Sequence, residues 1–236
     1  MHPPHPKSLD TIRRQEVRAV SLDAAGTLIE PHPSVGAIYA EVAADWGLGR
    51  WESTLLEDRF RSAWSSRGHF DFSRTSWRQL VDKVWAGLVP GPVSEAFFDT
   101  LWSRFTESRT WRIYPDVVPC LSALRSRGWP LVVVSNWDER LHAVLSNLGI
   151  TALVDVVLPS VEAPAPKPDP RIFEIAARRL GVSPGQLLHV GDSETEDLTG
   201  ILQSGGQGIL LNRSETTCRS DTLQSLHPLP DLLGNR

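Results

Sequence analysis

Two textures of apolar and polar positions alternate along the chain. Val17–Leu22, Pro130–Ser135, Val154–Leu158, Leu187–Gly191 and Gly208–Leu211 are short, apolar runs, most of them rich in β-branched residues, and they read as buried strands. Between them, Leu141, Val144, Leu145 and Leu148 recur at i, i+3, i+4, i+7, the stripe of an amphipathic helix. Ile172, Ile175, Ala176 and Leu180 repeat that stripe after Asp169-Pro170, an N-cap followed by proline at the first helical position. Strand–helix–strand repetition at this spacing predicts an α/β fold, a doubly wound parallel sheet covered on both faces. The order of the runs suggests the spatial order third-second-first-fourth-fifth, with the first strand central.

From Ser34 to Thr110 the texture changes to helical spacing with no convincing strand. Ser34, then Val35, Ile38, Tyr39, Val42, Ala43 and Trp46, closed by Gly47, reads as one capped helix. The tryptophans here (Trp46, Trp51, Trp64, Trp77, Trp85, Trp102 and Trp111) are expected to form a core rather than a ligand cage. The predicted organisation is an α/β core over 1–33 plus 111–236, interrupted by an all-helical insertion over 34–110.

Composition narrows the function. The chain has 236 residues, 41% of them hydrophobic, and a net charge of −4, so no basic face points to nucleic acid or an anionic membrane. The apolar runs fall well short of the roughly 18 residues a membrane span needs. Met1-His2-Pro3-Pro4-His5-Pro6 lacks the apolar segment of a signal peptide and reads as a frayed tail. Cys120 and Cys218 make neither a disulfide framework nor a zinc site, which fits a reducing cytoplasm. Only Lys7, Lys83 and Lys167 are lysines, which gives weight to Lys167 in its Pro-rich loop.

The candidate chemistry begins at Asp23, an acid at the tip of a buried strand followed by a glycine turn, Asp23-Ala24-Ala25-Gly26-Thr27-Leu28. An ionised carboxylate there costs several kcal/mol without a partner. Three further segments offer partners: Val134-Ser135-Asn136, Lys167-Pro168-Asp169-Pro170, and Gly191-Asp192-Ser193-Glu194-Thr195-Glu196-Asp197. Each falls at a strand end or in the loop after it, where ligands bind in open α/β sheets. The crowded acids of the last segment, joined by Asp23, raise one another's pKa unless a cation intervenes.

In this order and context, the four segments resemble those of the haloacid-dehalogenase-like hydrolase superfamily, in the branch with a helical cap after the first strand. Asp23–Leu28 and the following Pro33–Ala43 are similar to the rhythmically expressed gene 2-like proteins. The resemblance implies a nucleophilic Asp23 that forms an aspartyl-phosphate. It makes Lys167 the positive charge holding nucleophile and phosphoryl group, and Ser135 and the amides near Asn136 the phosphate-binding groups, with Thr27 beside them. It implies Mg²⁺ held by Asp23, the Ala25 backbone carbonyl, Asp192 and Asp197, and a small phosphorylated substrate.

Ala25 departs from the phosphatase pattern, where the position two after the nucleophile is an Asp that protonates the leaving oxygen and activates water. General acid–base help contributes about 10² to 10⁴ in rate, so its loss predicts a slow phosphatase, with Glu30 or His32 as substitute proton sources. A second reading is another superfamily reaction: a phosphonatase, which needs a cap lysine, although Lys83, the only one, sits farther from Asp23 in sequence than that pattern implies, or a dehalogenase, which lacks the second Asp but uses no Mg²⁺, against the acidic cluster around Asp192. A third is a non-hydrolytic protein that binds a phosphorylated ligand or a protein partner. His189 and Cys120 read as core residues, Trp137 as packing at the start of a helix, Arg171 and Glu194 as surface; Glu196 is left open.

Overall fold

The computed structural model describes residue 9, residues 12–214 and residues 222–236. The proline-rich start and Cys218 lie outside them.

In chain order, β1 (Ala19–Leu22) is followed by the short β2 (Ile29–Pro31). Four helices come next: α1 (Val35–Asp45), α2 (Ser53–Ser65), α3 (Arg74–Trp85) and α4 (Glu95–Arg104). The chain returns through β3 (Trp111–Ile113), which pairs with β2, and then runs α5 (Val117–Ser126), β4 (Leu131–Ser135), α6 (Arg140–Asn147) and β5 (Val156–Pro159). It ends with α7 (Pro170–Arg179), β6 (Leu187–Gly191), a π-helical turn over Glu194–Thr199, α8 (Gly200–Gln203), β7 (Gln207–Leu211), β8 (Thr222–Leu223) and α9 (Leu229–Leu233). Two compact units result: Met1–Glu30 with Ile113–Arg236, and Pro31–Arg112.

The first unit holds a six-stranded sheet in the order β5-β4-β1-β6-β7-β8, parallel throughout. The order expected from the sequence is met, and β8 is added at the edge. β1, β4 and β6 are buried at every position, as parallel strands covered on both faces must be. Ile172, Phe173, Ala176 and Ala177 of α7 pack on this sheet beside Ala19, Val132, Val134 and Leu158. Asp169 caps α7 by accepting from the Arg171 amide, with Pro170 at its first position, as predicted. The sheet's topological switch point lies between β1 and β6, and the residues that leave their carboxyl ends are Asp23 and Asp192.

The second unit packs its four helices around Trp85, which is fully buried. Tyr39 stacks on Trp85 at 6.4 Å and Phe97 meets it edge-on at 5.4 Å. Most of the tryptophans are therefore packing residues, as expected, with Trp46 the most open at 41% exposure. The start of α1 is fixed twice over. Ser34 accepts from the Ala37 amide, and the Gly36 amide donates to Glu57 of α2 at 2.7 Å. A Cβ on Gly36 would lie 2.1 Å from the Ser53 carbonyl oxygen, so glycine is what lets α1 and α2 approach.

Candidate active site

β1 ends at Leu22, level with Val133 of β4 and Val190 of β6. The Asp23 amide continues the ladder to the Val190 carbonyl at 2.9 Å, so the carboxylate emerges from between two strands with 6% exposure. The chain then turns. The Ala24 carbonyl accepts the amides of Thr27, Leu28 and Ile29, and Gly26 adopts φ +82°, a left-handed value that favours glycine. A Cβ at Gly26 would come within 2.3 Å of an Asp192 oxygen. The turn and the acid after β6 are thus in direct contact.

Lys167 is buried, and its three ammonium protons are fully used: Asp23 Oδ1 at 2.5 Å, Asp197 Oδ1 at 2.5 Å and the Val134 carbonyl at 3.1 Å. Burial works against its charge, but the two carboxylates outweigh that and raise its pKa. Asp197 is held well below the usual carboxylate range, because Lys167 and His189 overcome the cost of its burial. Asp23 moves upward: burial is the largest cause and the charge of Asp197 adds to it, against Lys167. Asp192 is exposed as a residue, yet its carboxyl is pushed up to about 7, by desolvation on the side facing the site and by repulsion from Asp23 and Asp197.

Oxygens of Asp23, Asp192 and Asp197 all lie within 4.8 Å of one another. Among the described residues, this is the group of acids placed to share a metal ion. Two of the three carboxyls are raised, chiefly by burial and further by the neighbouring acids, so a cation would relieve the unfavourable charge. The donors are all oxygens, which suits Mg²⁺.

The remaining predicted residues divide. Ser135 ends β4 and is buried. Ala25 is exposed on the turn. Thr27 is fully buried; its hydroxyl has no partner among the described residues, while its carbonyl accepts from Arg213 at 2.7 Å. The Asn136 side chain is committed to protein: Oδ1 accepts from the Lys167 amide at 2.7 Å, and Nδ2 donates to the Lys167 carbonyl at 2.9 Å and to Glu196 at 3.0 Å. It brackets the Lys167 backbone. Asn136 and Trp137 do not open a helix: α6 starts at Arg140 with Glu139 at its N-cap position, and Asp138 accepts the Arg140 amide on its side chain and the Leu141 amide on its carbonyl. Glu30 hydrogen-bonds Tyr114, whose hydroxyl is pushed up to about 12 by burial and the charge of Glu30. Lys83 is an exposed residue in the last turn of α3.

His189 is the residue that sequence reasoning left out of the site. It is a satisfied core histidine, as expected, yet Nε2 lies 2.9 Å from Asp197 Oδ1 and Nδ1 lies 2.8 Å from the Ser21 hydroxyl. Burial lowers its pKa and so favours the neutral ring, against the pull of Asp197. With Asp197 as acceptor, Nε2 carries the proton and Nδ1 accepts from Ser21. The available signal was its place on a strand three residues before Asp192.

A parallel α/β sheet that presents a buried aspartate, a lysine and two further acids at its switch point defines a hydrolase class built on one such centre. The model of the haloacid dehalogenase-like hydrolase family matches residues 17–205, and the chain belongs to that family. The mouse haloacid dehalogenase-like hydrolase domain-containing protein 3 is 33% identical over 93% of this chain and 92% of its own length. The Rhythmically expressed gene 2 protein of Drosophila melanogaster is 27% identical over 83% of each, in keeping with the branch read from the sequence. Phosphoglycolate phosphatases are among the more distant relatives. The crystal structure of a HAD phosphatase from Thermococcus onnurineus superposes with a TM-score of 0.69 at 24% identity, covering 93% of this chain and 99% of that one. Haloacid dehalogenases superpose comparably, up to a TM-score of 0.76, so the structural likeness establishes the fold and not the reaction. No helix among the described residues is long and apolar enough to cross a membrane.

Proposed function

We propose that the protein is a Mg²⁺-dependent phosphatase acting on a small phosphorylated molecule, with an α/β core carrying the chemistry and the inserted helical unit serving as its cap. The observation that carries this reading is the convergence of Asp23, Asp192 and Asp197 within 4.8 Å of one another, with the Lys167 ammonium on Asp23 and Asp197. Three crowded carboxylates with one lysine leave excess negative charge, which a divalent cation and a phosphoryl group together balance.

In this reading Asp23 attacks phosphorus, the P–O bond to the substrate breaks, and water then attacks the aspartyl-phosphate to release phosphate and restore the carboxylate. Lys167 pins Asp23 Oδ1 and neutralises charge on the phosphoryl oxygens. The Ser135 hydroxyl, at the carboxyl end of β4, donates to one of those oxygens. Asp23, Asp192, Asp197 and the Ala25 carbonyl would hold the cation. When bound, Mg²⁺ would supply positive charge that stabilises the carboxylates and the phosphoryl group. Ala25 cannot protonate the leaving oxygen, so good leaving groups are favoured.

Ala25 also favours a second reading, hydrolytic dehalogenation, because a halide departs without a proton. The test is hydrolysis of an aryl phosphate and of acetyl phosphate in Mg²⁺ and in EDTA, with wild type and Asp23→Asn. Turnover that needs Mg²⁺ and vanishes in Asp23→Asn supports the phosphatase. Release of halide from a 2-haloacid, insensitive to EDTA, with no phosphate released, overturns it in favour of the second reading.

A further inference from the structure

Arg213, two residues beyond β7, reaches back under the turn that follows Asp23. Its Nη2 donates to the Thr27 carbonyl at 2.7 Å and its Nη1 to Asp116 Oδ2 at 3.0 Å, while the guanidinium carbon lies 3.9 Å from the Tyr114 ring centroid. Asp116 Oδ2 also accepts the Leu226 amide at 2.6 Å, and the Tyr114 amide donates to the Leu28 carbonyl at 3.1 Å. Two adjacent carbonyls of the turn, Thr27 and Leu28, are thus tied to the segment leading into α5.

As a stabilising ion pair this arrangement is poor. Both charges are largely desolvated, and Arg213 Nε and Asp116 Oδ1 are buried without partners among the described residues. Its effect lies in placement. The turn abuts Asp192 so closely that a single added carbon at Gly26 would sit 2.3 Å from the carboxylate. A shift of a few tenths of an ångström in the turn alters the gap between its backbone and Asp192, the two walls of the cation site.

We infer that Arg213 is a positioning residue: by holding the Thr27 carbonyl, it sets the Ala24–Ile29 turn at the distance from Asp192 that cation binding requires. The inference rests on the reading of Asp23 and Asp192 as metal ligands. The planar guanidinium serves two acceptors at fixed angles, which a lysine ammonium on a flexible stem does not reproduce.

The experiment compares wild type with Arg213→Met, Arg213→Lys, Asp116→Asn and the double variant Asp116→Asn/Arg213→Met. Three quantities are read: the Kd for Mg²⁺ alone by calorimetry, hydrogen–deuterium exchange of the turn peptide, and Tm. Arg213→Met strands the Asp116 charge and lowers Tm; the double variant removes that charge and recovers most of the loss. The expected result is that the double variant still binds Mg²⁺ about tenfold more weakly, the usual scale for an outer-shell partner, and that its turn exchanges faster. Where turnover is measurable, kcat falls and KM holds. A double variant with wild-type Mg²⁺ affinity and wild-type exchange overturns the inference and leaves an ordinary ion pair. Should Arg213→Met fail to fold, the double variant and Arg213→Lys give the same decision. Wild-type protein that binds no Mg²⁺ overturns the metal reading instead, and the exchange of the turn then decides the positioning role by itself.

Discussion

The Lys167 ammonium stands 2.5 Å from the Asp23 carboxylate and at the same distance from Asp197, so one buried cation is shared between two buried anions. For Asp23 it is the ion-pair partner, and for Asp197 it acts beside His189 and the Ser193 amide. Removing Lys167 as Lys167→Met is expected to cost about 3–5 kcal/mol of stability, the scale for stranding a buried charge. Urea denaturation checks this, and adding Asp23→Asn to Lys167→Met is expected to return part of the loss. Lys167→Met with wild-type stability would contradict the sharing.

Ala25 is exposed on the turn, so a longer side chain there is tolerated. Ala25→Asp is expected to raise the turnover of poor leaving groups by about 10² to 10⁴ and that of acetyl phosphate far less. Rates measured across a leaving-group series check this. An equal gain for every ester would mean that the new carboxylate acts on something other than the leaving oxygen.

Asp192 predicts a pH dependence with a definite sign. Its carboxyl is pushed up to about 7 in the folded protein, against about 4 in an unfolded chain. Between those values the folded state holds a proton that the unfolded state has released, so this contribution to stability falls as pH rises through the window. Mg²⁺ binds the deprotonated carboxylate, and its stabilising effect on Tm is expected to grow from about pH 5 to about pH 7 and then level off. Asp192→Asn is expected to flatten that growth. Melting curves in EDTA and in Mg²⁺ check both; a Mg²⁺ shift of equal size at every pH would remove Asp192 from the site.

Two glycines are fixed by contact with acids. A Cβ at Gly191 would lie 2.2 Å from Asp197 Cγ, and one at Gly26 would lie 2.3 Å from Asp192 Oδ2 at a φ of +82°. Gly26→Ala is expected to weaken Mg²⁺ binding at least tenfold, through strain and displacement of Asp192. Gly191→Ala is expected to lower Tm as well, because Asp197 is tied to Lys167 and His189. Calorimetric titration and thermal melts separate the two effects.

The strand order was legible in the sequence because buried apolar runs mark strands and an acid directly after such a run marks a carboxyl end; the place of Lys167 beside Asp23 came from the resemblance of the four segments to a known family. What could not be read depends on contacts between distant segments. The sequence shows no reason why Arg213 should reach Thr27, or why His189 should orient Asp197. β8, only two residues long, carries no alternation to recognise. The start of α6 was placed too early because Asn136 is a residue type that often caps helices, and only the folded chain shows its side chain occupied with Lys167.

That occupation has its own consequence. By accepting the Lys167 amide and donating to the Lys167 carbonyl, the Asn136 side chain imitates one rung of a β-ladder between positions 31 residues apart. The lysine is located by this rung and not by the length of chain leading to it. Insertions or deletions between α6 and the Pro-rich loop can therefore accumulate over evolutionary time without displacing the ammonium, provided that the amide at position 136 is kept.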